Sequence, residues 1–167
     1  MTERDEIFSS KVKYVGLFPY SDFYKFCYDW LVDDFGLLVA EKQYVEKIKG
    51  DAKDIDIEWV GTKEVTDYFK YEVKVKFRIL GMTNVEVTQD GAKIKMNKAN
   101  VEVKMSGALL KDYKGRFETS AFNKFLREIY QKWIITSRIN QFEEKLIGDC
   151  DEFLSQVKAY LDLEGKR

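Results

Sequence analysis

The sequence predicts an α+β domain: a curved antiparallel sheet of about 6–7 strands in a meander, wrapped on a long C-terminal helix, with one helix after strand 1. Three observations predict it. From Val65 to Leu80 the chain alternates, with Phe69, Tyr71, Val73, Val75, Phe77 and Ile79 apolar and Lys70, Glu72, Lys74, Lys76 and Arg78 charged. Side chains on a strand point to opposite faces in turn, so this is a long strand with one buried face. Next, Asp90-Gly91 joins two further alternating runs. That dipeptide suits a type I′ turn, which needs positive φ at both central residues. Last, from Phe122 onward apolar residues recur every three or four positions, as on one face of a helix.

Composition sets the limits. The chain has 167 residues, enough for one domain with a substantial core, and 28 basic against 29 acidic residues give a net charge of −1. That balance argues against nucleic acid as a partner, which selects for basic excess. No run approaches the ~18 apolar residues of a membrane span, so a transmembrane segment is not expected. The charged opening Met-Thr-Glu-Arg-Asp-Glu lacks the apolar core of a signal peptide, and a cytoplasmic location is the expectation. Cys27 and Cys150 stand alone at apolar helix positions. With no histidine anywhere in the chain, neither a metal site nor any cofactor is expected.

In chain order, residues 1–10 are polar and read as a disordered N-terminus, leaving 11–167 as a single α+β domain. Lys11 to Phe18 alternates as the first strand, and Pro19 ends it because proline donates nothing to a ladder. Phe23, Phe26, Cys27, Trp30 and Leu31 then mark one face of a helix, flanked by Tyr20, Tyr24 and Tyr28 and stopped at Gly36. Residues 37–48 suit a strand, with a second short helix as the alternative. Asp54 to Val60 is a strand with Ile55, Ile57 and Trp59 on one side. Its acids Asp54, Asp56 and Glu58 would lie beside the lysines of the central strand in an antiparallel pair.

After the central strand, a turn at Gly81-Met82-Thr83 would set Ile79 opposite Val85 and Arg78 opposite Glu86. The Asp90-Gly91 turn places Val87 on Ile94 and Val85 on Met96, and a turn at Asn97-Lys98 would match Met96 with Ala99. The last strand runs past a bulge near Gly107 towards Leu110. Thr119 or Ser120 caps the terminal helix, whose stripe begins with Phe122, Phe125, Leu126, Ile129 and Trp133 and continues to Tyr160. Gly148-Asp149 interrupts it, leaving either one helix with a weak point or a separate or overhanging helix over 149–167. An unbroken helix from Ser120 to Leu163 would reach roughly 66 Å at ~1.5 Å per residue. A strand of about 14 residues spans only ~46 Å, so part of that helix would lack cover.

Strand, helix, a meander of strands and a long terminal helix resembles the helix-grip fold of START-like and Bet v 1-like domains. The resemblance lies in the order of elements and in no shared motif, and the pair of short helices and the glycine-rich loop of those families have no clear counterpart. It implies a sheet gripping the terminal helix around an apolar ligand such as a lipid, and it carries over no functional residue.

Function is therefore weighed from side chains. Without histidine there is no Ser-His-Asp or Cys-His arrangement, and no P-loop, GxGxxG or HExxH occurs. A non-enzymatic binding module is expected, holding an apolar small molecule or lipid between sheet and helix. Tyr14, Trp59, Tyr71, Val73 and Phe77 would line that space from the sheet, and Phe122, Phe125 and Trp133 from the helix. A solid aromatic core is the plain alternative. The rival function is assembly, as a homo-oligomer or with a partner protein, through the C-terminal helix. Tyr130 and Ile134 lie off its main apolar face, and with Phe142, Phe153 and Val157 they would form the interface. The lysines of the central strand form a basic face that Asp54, Asp56, Glu58, Glu86 and Glu102 are expected to neutralise.

Overall fold

A computed structural model of the chain describes residues 3–113, 121–129 and 136–165. Within them the order is β1 (Glu3–Phe18), α1 (Tyr20–Asp29) with a π-helical turn (Trp30–Asp34), β2 (Leu38–Lys49), β3 (Ala52–Glu64), β4 (Phe69–Gln89), β5 (Ala92–Lys111), α2 (Ala121–Ile129) and α3 (Thr136–Gly165). The five strands form one antiparallel sheet in the order β1-β5-β4-β3-β2. β2 to β5 are a meander. β1 lies at the far edge beside β5, so the chain crosses the whole sheet between β1 and β2, and α1 with its π-helical turn makes that crossing on the inner face.

The α+β class and the meander are as the alternation predicts, and residues 37–48 do form strand β2. The count is five strands rather than 6–7, because two expected turns do not exist. At the first, β4 runs on through Gly81-Met82, where the register slips between Leu80 and Thr83. Leu80 faces Asn100 and Thr83 faces Lys98, so Gly81 and Met82 together oppose Ala99. Gly81 has φ 63°, the left-handed residue of a glycine bulge. At the second, β5 passes straight through Asn97-Lys98, and Val101 pairs with Ile79 instead of Ile94. The Asp90-Gly91 hairpin stands, with φ 50° and 80°, and so do its registers Val87 on Ile94, Glu86 on Lys95 and Val85 on Met96. Beyond the bulge β4 and β5 form a two-stranded arm, since β3 pairs no further than Met82 and β1 no further than Asn97. Two residues against one also reverse the alternation, so Val85 and Val87 follow the side of Leu80 and not that of Ile79.

Two corrections concern the ends. β1 begins at Glu3 and not at Lys11: Glu3 pairs with Lys111 and Asp5 with Leu109, and Asp5 meets the Lys111 ammonium at 2.7 Å. The polar side chains there are the wet face of an edge strand. The bulge expected near Gly107 is on β1, where the register slips between Glu6 and Phe8 opposite Gly107 and Ala108. At the other end, Gly148 and Asp149 lie inside α3, so 149–167 holds no separate helix over its described residues. Asp149 instead accepts an i, i+4 ion pair from Lys145 at 2.9 Å.

One buried cluster fills the space between sheet and helices. α3 lies along β1 and β5. It presents Leu146, Cys150, Phe153, Val157 and Leu161, all buried. α1 covers β3 and β4, with Phe23 edge-on to Phe77 at 6.1 Å and Tyr24 to Trp59 at 5.2 Å. The helices meet each other through Phe26 stacked on Tyr160 at 4.6 Å and Trp30 against Phe153 at 5.4 Å. Gly36, at φ 82°, ends the helical segment after Asp34, as expected.

Candidate functional site

The five sheet residues expected to line a ligand space are brought together, but against protein. Trp59, Tyr71, Val73 and Phe77 are buried. Trp59 is boxed by Tyr24, Tyr28 and Phe77, with ring centroids at 5.2, 5.8 and 4.8 Å. The gap among Tyr20, Phe23, Tyr24, Ile57, Trp59, Phe77 and Ile79 has no room for a water molecule. The polar handles are taken as well. The Tyr71 hydroxyl donates to the Phe142 carbonyl of α3 at 2.8 Å, and that of Tyr14 to the Leu17 carbonyl at 2.6 Å. Phe122 and Phe125 do not face the sheet: they are 66% and 56% exposed on α2. Trp133 lies outside the described residues.

The expected interface fares similarly. Phe153 and Val157 are wholly buried in the chain's own core. Phe142 is half-buried, its ring 5.0 Å from that of Phe69. Tyr130 and Ile134 lie outside the described residues. The overhang that motivated this interface also disappears. α3 has 30 residues, about 45 Å, while β1 with 16 and β5 with 20 span about 53 and 66 Å, so the helix is shorter than the strands it lies along.

The structure adds a polar aromatic cluster where α1 meets β2. Tyr44 donates to Glu46 at 2.8 Å, so its oxygen accepts from Tyr20 at 2.7 Å. Glu41 accepts from the Tyr24 hydroxyl at 2.7 Å and from the Trp59 indole at 3.1 Å. Burial pushes the Tyr24 hydroxyl up to about 12, helped by its bond to Glu41. Burial and the Tyr44 contact raise Tyr20 further. These hydroxyls stay protonated near neutral pH, so they act as donors and not as bases. Tyr20, Tyr24 and Tyr28 are legible as a stripe at helical spacing, but Glu41 and Glu46 became meaningful only once β2 was seen beside α1.

The second feature is α2. Phe122, Phe125, Leu126 and Ile129 follow i, i+3, i+4 and i+7, one face of the helix, and the exposed Lys124 and Glu128 lie off it. Besides the two phenylalanines, Leu126 is 37% exposed. An apolar stripe of this kind normally lies on a core.

The third is an open depression of about 550 Å³ where the start of α1 faces the β4–β5 arm, lined by Pro19, Tyr20, Asp22, Val85, Lys95 and Met96 among others. Asn97 bridges it, accepting from the Tyr20 backbone N–H at 3.0 Å and donating to Asn84 at 2.8 Å.

Among the described residues there is no cluster of three or more histidine, cysteine or acidic side chains able to hold a metal, and no helix is long and apolar enough to cross a membrane. Cys27 and Cys150 are free and buried, and burial raises both thiols, that of Cys150 to about 12. No protein-family model matches the chain, and no curated protein or solved structure does either.

Proposed function

We propose that this protein is a non-enzymatic assembly module, and that it self-associates through the apolar face of α2. The observation that carries this reading is the exposure of Phe122 and Phe125 on a short helix whose other side is polar. Burying two phenylalanines from each of two copies removes several hundred Å² of apolar surface from water, the dominant favourable contribution in most associations. The rival reading, an apolar ligand between sheet and helix, needs space that Trp59, Phe77, Phe23 and Tyr24 occupy with one another.

Sedimentation of the wild type and of the double variant F122S/F125S tests the proposal. The wild type is expected to sediment as a dimer or larger species, and the variant as a monomer with unchanged thermal unfolding. A wild type that stays monomeric at high concentration would refute it.

A further inference from the structure

The bare face of the sheet carries a pattern that solvation alone does not require. Ladder registers place Lys11 beside Lys104 and Lys104 beside Lys76, three ammonium groups in one row across β1, β5 and β4. Directly opposed side chains lie about 4.5–5.5 Å apart at Cβ, and like charges so placed are unfavourable. Lys74, Lys13 and Arg78 flank the row on the same face.

The acids expected to neutralise this face do lie next to it, Glu58 opposite Lys76 and both Asp56 and Glu102 opposite Arg78. Yet among the described residues no ion pair joins Lys11, Lys13, Lys74, Lys76, Arg78 or Lys104 to a carboxylate within 4.0 Å, and Glu72 on the same face pairs with Arg4 instead. A shallow depression of about 360 Å³ opens here, lined by Lys76, Lys104 and Arg78 interleaved with Asp56, Glu58 and Glu102. In the rows beyond, Val15 is 70% and Leu80 is 37% exposed, both in register with Asn100.

We propose that this face docks an acidic, leucine-bearing stretch of a partner protein. Its carboxylates lie along Lys11, Lys104 and Lys76, and its apolar side chain rests on Val15 and Leu80. Charge complementarity names the partner. An anion relieves the repulsion within the lysine row, and an apolar anchor beside a charged rim is the usual build of a protein contact. Nucleic acid fits less well on two counts. The strand positions of this face carry no aromatic side chain on which a base would stack. Asp56, Glu58 and Glu102 also interrupt the cations and repel a continuous phosphate backbone, whereas a peptide sets its own lysine or a neutral side chain over them. The proposal does not rest on α2.

The test uses the full chain and a short fluorescein-labelled peptide of alternating glutamate and leucine, with single- and double-stranded DNA of equal length as comparison probes. The peptide is expected to bind in a salt-sensitive manner. Its affinity should fall about tenfold or more in K11Q/K76Q/K104Q, the loss of three exposed ion pairs. V15S/L80S should weaken it by a smaller factor, and K25Q/K42Q/K158Q, three exposed lysines elsewhere, should leave it unchanged. The absence of peptide binding, an equal loss in the control triple, or tighter binding of either DNA would overturn the proposal. A shift of K11Q/K76Q/K104Q from dimer to monomer would overturn it too, by assigning this face to a second copy.

Discussion

Tyr71 shows how one hydroxyl ties the two layers together. Its ring is buried in the sheet's inner face and its hydroxyl donates across to the Phe142 carbonyl of α3. Tyr71→Phe keeps the ring and removes only that bond, so it should cost about 0.5–1.5 kcal/mol in urea unfolding at neutral pH. Alkaline conditions supply a second reading. Burial, then the nearby Asp149 and Cys150, push this hydroxyl up to about 12 from an ordinary 10.0. A raised value in the folded state means that the protonated form favours folding. That contribution is whole below pH 10 and is lost as pH rises through about 12. The stability gap between wild type and Tyr71→Phe should therefore narrow across that window. The sequence placed Tyr71 on the inner face through alternation alone. It did not identify the acceptor, because a helix carbonyl is already spoken for by its own ladder and nothing in local sequence marks it as shared.

At the scale of elements, small residues decide where helix and sheet approach. A Cβ at Gly107 of β5 would lie 3.1 Å from the Cys150 sulfur of α3, opposite the bulge of β1. Gly107→Ala forces the helix outward and should destabilise by about 1–3 kcal/mol, a cost that Cys150→Ala in the same chain should partly recover. Thermal melts of the two singles and the double measure that coupling, and additive losses would show that the two sites are independent. Elements were legible where period and turn chemistry agreed, as in β3, α1 and the Asp90-Gly91 hairpin. The bulge at Gly81-Met82 was not. A left-handed glycine between two alternating runs serves a turn or a bulge equally well, and only the partner strand decides. Here β5 pairs on both sides of the slip, Asn100 with Leu80 and Lys98 with Thr83, which carries β4 through the glycine as one strand. α2 was hidden for a similar reason. Its stripe gives a helix and an apolar face, but periodicity does not say whether that face finds a core.

For the molecule as a whole, the main fact is a single buried cluster shared by β1, β3, β4, β5, α1 and α3, with Val39 of β2 packed against it. Phe23 touches both Phe77 and Tyr160, so the sheet and the terminal helix pack against the same ring. Neither layer keeps its packing if the other leaves. Urea unfolding should accordingly be one transition, with tryptophan fluorescence and far-UV circular dichroism giving coincident midpoints. Separate midpoints would mean that helices and sheet melt as distinct units. The sequence conveyed the two layers and their antiparallel order, and it misjudged their relative lengths. Halving two strands at false turns made the helix look too long for its bed, and from that mismatch came an interface at Phe153 and Val157 that the core already uses.

The placement of β1 has a consequence for how the chain is made. It leaves the ribosome before the other four strands, yet its hydrogen-bonding partner, β5, emerges only after β2, β3 and β4. Lys13 waits for Glu102 and Glu3 for Lys111, pairings of very long sequence separation that raise contact order and slow folding. During that delay Val12, Tyr14 and Phe18 have no cover, and the charges at Glu3, Arg4, Asp5, Glu6, Lys11 and Lys13 stand guard over a sticky nascent strand.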